Sequence, residues 1–285
     1  MAGDTDGRSG RVTRTRVLVG IAVLVPVILI AAAVALAGQQ SHATATVTAN
    51  AGLSQVPTAT ATATAATAPA TVPKLAKPSL PAIPGGSGAL VATVVHPTTL
   101  LASPGGHVRI ARLTTKTQFG SPEMLWVVSH VPGWLGVMTP NAGNNRVGWI
   151  AQNATALSRV TWELKVSLAA RRLTVLHHGK VVVQWPVAIG AAGSPTPTGR
   201  FAVTDRIVTN DPDGPYGCCI LAISAHAPHA IQGWVGGTRI AIHSTPEAAS
   251  IGEATSHGCV RVSIANGHWL LAHIPLGTPT LINSS

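Results

Sequence analysis

Residues 242–262 read IHSTPEAASIGEATSHGCVRV, the most informative stretch of the 285-residue chain. It contains one cysteine, Cys259, with His257 two positions before it and His243 sixteen positions before it. A cysteine attacks a carbonyl only as the thiolate, so it needs a nearby imidazole to accept its proton and fixed N–H donors for the developing oxyanion. Gly258 lets the backbone approach a substrate closely, so the N–H groups of Gly258 and Cys259 are candidate oxyanion donors.

The sequence on both sides of this stretch predicts a mostly β fold with one or two short helices. Residues 162–168 alternate between apolar and polar side chains, which is the period of a half-buried strand, and 239–243 indicate a strand that ends on His243. Ser263 is a candidate N-cap for a helix that runs to His273, where Pro275 and Gly277 would close it. A last strand is expected over 280–283.

The cysteine block resembles the signature of L,D-transpeptidases with a YkuD-type catalytic domain. In that family a distant histidine precedes an S/T-H-G-C-hydrophobic-N/R block, as His243 precedes 256–261 here. Gly190 and the TPTGRF run at 196–201 are similar to the family's glycine and T-P-x-G-x-F element, and 251–252 match its I/L-G pair. The resemblance covers roughly 161–282.

The resemblance implies a role for each matching residue. Cys259 would be the nucleophile and His243 the general base, with the carbonyl of Ser244 orienting the imidazole. The remaining expected site residues are His257 and Gly258 at the oxyanion hole, and Ser256, Arg261 and the loop residue Tyr216 at the substrate. Some family members have glycine at the position of Ser244, so its hydroxyl is not required.

The resemblance also implies the reaction. Cys259 would attack a peptidoglycan tetrapeptide stem at its third residue, release D-Ala and form a thioester that an amine of a second stem converts to a 3→3 cross-link. No cofactor is expected, because a thioester conserves the reactivity of the acyl bond. Carbapenem-type β-lactams would acylate the same thiol. The alternatives are an L,D-carboxypeptidase, in which water resolves the thioester, and a wall-binding anchor protein with an idle cysteine.

An uncharged run at 17–38 is long enough as a helix to cross a bilayer core of about 30 Å. Four arginines precede it within 1–16, and a basic flank stays in the cytoplasm. We therefore expect a single-pass protein of the bacterial plasma membrane, N-in and C-out, with its catalytic domain in the cell wall zone. The alternative is a cleaved signal peptide, whose apolar core is normally shorter.

Two further regions separate the predicted membrane helix from the catalytic domain at 161–285. Residues 39–87 are rich in Ala, Thr and Pro and are expected to be a disordered linker. Residues 88–160 show short apolar runs between turn residues, which predicts a small β domain. Two Gly-Trp pairs in it resemble bacterial SH3-like modules. It would bind the wall or position substrate, or act as a spacer with core tryptophans, and we favour the spacer because aromatic residues in small β domains usually pack in the core.

The formal net charge of +10 does not indicate a nucleic-acid partner. From 161 to 285 there are eight basic and six acidic residues, a net of +2, and no basic stripe with stacking aromatics accompanies them. Weak attraction to an anionic cell wall is the better interpretation.

The chain has three cysteines, too few for a disulfide framework. Cys259 is expected to stay reduced, with its thiolate favoured by a nearby imidazole. Adjacent residues form a disulfide only in strained geometry, so Cys218 and Cys219 are expected to be two buried thiols. A zinc site built on His226 and His229 is disfavoured because no H-E-x-x-H or C-x-x-C element accompanies them.

Overall fold

The computed structural model describes residues 84–229 and 237–285, all of which lie in one compact unit that spans 71–285. The predicted membrane helix at 17–38 and nearly all of the predicted linker lie outside the described residues. Within the described ranges no helix is both long and apolar enough to cross a bilayer.

The first part of the described chain forms an antiparallel seven-stranded sheet. Its strands are β1 (Ala89–Val94), β2 (Thr98–Leu101), β3 (Arg109–Leu113), β4 (Met124–Val131), β5 (Trp134–Met138), β6 (Val147–Ala151) and β7 (Thr155–Val160). They are arranged in the order β3-β2-β6-β5-β4-β1-β7. Leu100, Leu125, Leu135 and Ile150 are fully buried, so this sheet has a hydrophobic core of its own.

The second part of the chain supplies the remaining elements. They are β8 (Trp162–Ser167), β9 (Arg172–His177), β10 (Lys180–Pro186), β11 (Ile189–Gly190), β12 (Gly199–Val208), β13 (Cys219–His226), β14 (Arg239–Ser244), β15 (Ala254–Ser256), β16 (Val260–Val262), α1 (Ile264–His273) and β17 (Pro279–Asn283). Short 3₁₀ helices occupy Pro140–Ala142, Gln152–Ala154 and Ala248–Ser250. The prediction of a mostly β fold is confirmed.

Eight of these strands form a mixed sheet in the order β10-β9-β8-β17-β12-β13-β14-β16, and β11 pairs with β15 alone. Most neighbours are antiparallel, but β17 is parallel to β8 and β16 is parallel to β14. Helix α1 lies against β13 and β14. Its N-cap is Ser263, whose hydroxyl accepts a hydrogen bond from the N–H of Asn266, as the sequence predicted. Phe201, Leu221 and Ile240 are fully buried in this sheet's core.

Polar groups connect the two sheets. The side-chain amide of Asn144 exchanges two hydrogen bonds of 2.8 Å with the backbone of His226. Asn145 does the same with the carbonyl of Thr198, at 2.9 Å, and the N–H of Arg200, at 3.0 Å. Two asparagines thus satisfy backbone groups at the ends of β12 and β13 as a neighbouring strand would.

A buried group of charges lies beside these contacts. Asp205 and Arg239 of the second sheet are 4.0 Å apart, and Asp205 accepts a hydrogen bond from Thr117 of the first part of the chain. Glu123 is 6% exposed, and its burial, with help from the charge of Asp205, raises its pKa from 4.5 to about 7. Burial of ionised Glu123 therefore lowers the free energy of unfolding, and this loss is complete above about pH 7.

Replacing this carboxyl by an amide should stabilise the protein in a pH-dependent way. Below about pH 4.5 Glu123 is protonated in both the folded and the unfolded chain, whereas above about pH 7 it is ionised in both, so the cost of burying the anion is present only at high pH. Glu123→Gln should raise the melting temperature by a few degrees near pH 8 and by much less near pH 5.

Glu253→Gln is the matched control, because Glu253 is exposed and pairs with Arg171 at the surface. It should change the melting temperature little at either pH. A Glu123→Gln protein that gains no more at pH 8 than at pH 5 would show that the buried carboxyl is not the source of the cost.

Candidate active site

Parallel pairing of β14 with β16 assembles the candidate site. In this register Ile242 lies opposite Val260 and His243 lies opposite Arg261, so Cys259 directly precedes the paired residues. The Tyr216 ring centroid is 5.0 Å from that of His243, and Arg261 lies close enough for its charge to act on both His243 and Cys259. The strand pairing thus brings together residues that are far apart in sequence.

His243 is held as a neutral base. Its Nδ1 atom is 2.7 Å from the carbonyl oxygen of Ser244, which only accepts hydrogen bonds, so Nδ1 carries the proton. The residue is 3% exposed, and this burial lowers its pKa to about 4. The imidazole is therefore uncharged at neutral pH and competent as a general base.

Cys259 is a buried thiol rather than a stable thiolate. Burial raises its pKa to about 11, although a backbone hydrogen bond from Ala241 and the charge of Arg261 act in the opposite direction. The sequence-based expectation of a favoured thiolate is wrong for this resting site, because desolvation of the sulfur outweighs its neighbours.

Ser256 shapes the turn that presents Cys259. Its hydroxyl donates to the carbonyl of Cys259 at 2.5 Å and accepts from the N–H of Gly258 at 3.1 Å. Gly258 has φ = 112°, a backbone conformation that favours glycine, and a side chain there would press on Ile240. The Gly258 N–H, predicted as an oxyanion donor, is thus occupied by Ser256 in the resting site.

The two histidines of the motif differ in their surroundings. His257 is exposed, whereas His243 is buried against Tyr216. A buried imidazole with a fixed tautomer is the better placed general base, and His257 adjoins the nucleophile through its backbone.

Arg261 carries a hydrogen-bond donor with no partner among the described residues. Its guanidinium forms a 2.9 Å ion pair with Glu247, but its buried Nε atom has no acceptor. A buried donor without a partner costs about 1–3 kcal/mol, and an arriving ligand with an acceptor oxygen would remove that cost. The role of Arg261 as a substrate contact stays a prediction.

The loop between β11 and β12 forms another wall of the site. The N–H of Gly190 donates to the hydroxyl of Thr196 at 2.8 Å, and a side chain at 190 would come within 2.3 Å of the Ser194 carbonyl. The carbonyls of Ser194 and Pro195 face the turn at Gly258. The glycine and T-P-T-G-R-F elements therefore belong to the site, although they precede Cys259 by about 60 residues.

Cys218 and Cys219 are joined in a disulfide, and Cys259 is the free cysteine. The prediction of two buried thiols was wrong, and that of a free Cys259 is confirmed. Successive side chains of an extended strand point to opposite faces, which normally separates adjacent sulfurs. Here the pair lies at the start of β13, directly after Gly217, whose left-handed backbone interrupts the extended run.

Of the histidines considered for a zinc site, His226 has other partners. His226 is engaged by Thr238 at 2.7 Å and by the carbonyl of Pro140 at 3.1 Å. Donor atoms of Cys218, Cys219 and His268 lie within 4.8 Å of one another, but disulfide sulfurs are not thiolates and are poor metal ligands.

Comparisons with known proteins agree with this geometry. The model of the L,D-transpeptidase catalytic domain, YkuD, matches residues 161–282. The protein named L,D-transpeptidase YkuD of Bacillus subtilis is 32% identical over 124 residues, which are 44% of this chain and 67% of that protein. Its namesake in Bacillus licheniformis is 29% identical over 119 residues, which are 42% of this chain and 64% of that protein.

Among solved structures, an L,D-transpeptidase from Mycobacterium smegmatis covers 73% of this chain and 96% of its own, at 20% identity and a TM-score of 0.36. The β-rich domain with a buried cysteine and histidine is that of a cysteine-dependent acyltransferase. The chain belongs to the L,D-transpeptidase family with a YkuD catalytic domain. It spans about two thirds of the length of the Bacillus relatives.

The raised pKa of Cys259 predicts how its reactivity depends on pH. Alkylation by iodoacetamide follows the thiolate fraction, so the rate should rise about tenfold per pH unit between about pH 7 and pH 10 without levelling off. Peptide mass spectrometry locates the modified residue, and Cys259→Ser is the blank. A plateau starting near pH 6 would instead reveal a preformed thiolate–imidazolium pair.

The Ser256 hydroxyl can be tested separately. Ser256→Ala leaves two buried backbone groups without their side-chain partner, which should cost about 1–3 kcal/mol and slow acylation of Cys259. Ser256→Thr keeps the hydroxyl and is the matched control, with activity close to wild type. Equal losses in the two variants would mean that the hydrogen bonds of Ser256 do not shape the site.

Proposed function

We propose that this protein is a peptidoglycan L,D-transpeptidase that forms 3→3 cross-links through a thioester on Cys259. The observation that carries the proposal is the placement of a buried free thiol directly before β16 and of a buried, oriented imidazole on the paired strand β14, inside a YkuD domain. This is the minimum that an acyl transfer through cysteine requires.

The first half of the reaction acylates the enzyme. His243 Nε2 takes the thiol proton as Cys259 Sγ attacks the carbonyl carbon of the third residue of a tetrapeptide stem. The C–N bond to the terminal D-Ala then breaks, and the imidazolium returns its proton to the leaving amine. The products are free D-Ala and a thioester.

The second half transfers the acyl group. A side-chain amine from another stem attacks the thioester carbonyl, His243 accepts the amine's proton, and the C–S bond breaks to regenerate the thiol. Both halves pass through an oxyanion near the backbone of His257, Gly258 and Cys259. The Gly258 N–H contributes there only if it exchanges its Ser256 partner for the oxyanion.

The substrate would complete the polar contacts of the site. Arg261 Nε offers a buried donor for a carbonyl or carboxylate oxygen of the stem. Tyr216 is half-buried on the loop before β13 and edges onto the imidazole, a position from which it would cover a bound stem. Ser256 contributes by shaping the turn rather than by direct contact.

Carbapenem-type β-lactams would react at the same thiol. Their strained amide presents a carbonyl to Cys259, and opening of the ring leaves an acyl group on sulfur. We place the reaction in the cell wall zone of a bacterium, with the segment at 17–38 as a membrane anchor and 39–87 as a linker, because the substrate lies outside the membrane.

The function is tested by incubating the full-length protein with disaccharide-tetrapeptide and measuring product masses. We expect a cross-linked dimer with loss of D-Ala. Cys259→Ser and His243→Ala should lose product by several orders of magnitude, and His257→Ala should lose less because its side chain is exposed. A trimmed monomer would establish an L,D-carboxypeptidase, and unchanged substrate would leave an anchor protein.

A further inference from the structure

The Cys218–Cys219 disulfide lies directly behind the general base. Cys218 Sγ is 3.4 Å from the hydroxyl of Ser244, and the N–H of Cys219 donates to that hydroxyl at 3.1 Å. Ser244 is also the residue whose carbonyl fixes the tautomer of His243. Ser244 therefore contacts both the disulfide and the imidazole of His243.

The disulfide also ends the loop that carries Tyr216. The Ser244 hydroxyl is 3.3 Å from the carbonyl of Tyr216, and Thr209 bonds to the carbonyls of both Gly217 and Cys218. A side chain at 217 would come within 2.4 Å of the Ser244 hydroxyl. The loop, the disulfide and Ser244 therefore form one tightly packed group.

Helix α1 closes the other side of this group. Gly267 leaves so little room that an added Cβ would lie 2.8 Å from the Ser244 Cβ and 3.1 Å from the Cys219 Cβ. Two separate thiols need a van der Waals distance of roughly 3.5–4 Å between their sulfurs in place of a covalent bond. Ser244 and helix α1 confine the pair on two sides, so we expect reduction to displace Ser244 or the Tyr216 loop.

A proton source stands next to one sulfur. His268 is exposed, and its Nδ1 atom is 3.6 Å from Cys219 Sγ. When a thiolate attacks the other sulfur, Cys219 becomes the leaving group, and a protonated imidazole there stabilises it. The exposed His268 therefore favours cleavage of the disulfide with Cys219 as the leaving group.

We propose that Cys218–Cys219 is a thiol–disulfide exchange site for a dithiol reductant, and that its redox state sets the activity of the Cys259 site. One thiolate of the reductant attacks Cys218 Sγ, because Cys218 is the more exposed of the two residues, and the S–S bond breaks. Cys219 takes a proton from His268, and His268 regains one from solvent, where the reductant released it on ionising. The second thiol of the reductant then attacks the mixed disulfide and releases Cys218 as a thiol. The protein gains two electrons and two protons, and the dithiol is oxidised to its disulfide.

The oxidised form is the active one. With the disulfide intact, Ser244 and Tyr216 are held against His243, whereas in the reduced form the loop loosens and the imidazole loses its fixed orientation. A displacement of about 1 Å in a catalytic group costs on the order of a hundredfold in rate, so a partial loosening should slow turnover by about tenfold. This consequence rests on the proposed function.

The test compares full-length protein before and after treatment with dithiothreitol, with the reductant removed under anaerobic conditions. Reduction should add the mass of two hydrogens, lower cross-linking about tenfold, and be reversed by reoxidation. A second readout needs no substrate: NMR titration of the His243 ring should show a pKa that rises from about 4 toward its ordinary value as water reaches it. Unchanged turnover and an unchanged titration would overturn the proposal.

Variants separate the steps. A Cys218→Ser/Cys219→Ser protein should behave like the reduced form and ignore dithiothreitol, and a folded double variant with the activity and titration of the oxidised protein would refute the switch. His268→Ala should keep oxidised activity but be reduced more slowly, and reduction at the wild-type rate would remove His268 from the mechanism. Absence of product in both redox states would disprove the transpeptidase alone, since the His243 titration still decides the switch.

Discussion

The site depends on the parallel pairing of β14 with β16. Parallel neighbours need a connection of about a dozen residues or more, because the chain must return to the same end of the sheet. Here residues 245–259 make that return through a 3₁₀ turn and β15. The sixteen-residue spacing between His243 and Cys259 is therefore the length that a connection between parallel strands needs. The fold sets this spacing as much as the chemistry does. A register shift would separate the thiol from its base.

Burial of this pairing sets the chemistry. The burial of both side chains keeps His243 neutral and Cys259 protonated, since neither ion is well solvated there. Charge separation before the substrate binds is therefore costly, and proton transfer is best coupled to attack on a carbonyl whose oxyanion meets fixed donors. The Nε atom of Arg261, which has no partner among the described residues, fits the same logic under the proposed function, because the substrate would bring its acceptor.

Much of this was predictable where the sequence is locally periodic or carries a specific motif. Alternation in 162–168 predicted β8, the Ser263 cap predicted α1, and the S-H-G-C block indicated the family. Strand β13 gave no such signal, because seven of its eight residues are buried and no polar face alternates with an apolar one. The disulfide was missed because the prediction applied a general rule for adjacent cysteines and did not consider the left-handed backbone at Gly217 directly before them. The contacts of Asn144 and Asn145 gave no sequence signal either, because their side-chain amides hydrogen-bond backbone groups that are distant in sequence.

In this chain the side chain of Ser244 has a structural role, although glycine is accepted at the same position in the family. Its carbonyl orients His243, and any residue supplies a carbonyl, so glycine suffices at that position for the base alone. Here the hydroxyl has its own partners, the N–H of Cys219 and the carbonyl of Tyr216. A glycine would leave a buried N–H without its side-chain acceptor, at a cost of about 1–3 kcal/mol, and would detach the loop from the base. The serine therefore belongs with the disulfide: the backbone of residue 244 serves the imidazole, and its side chain couples that imidazole to the two sulfurs.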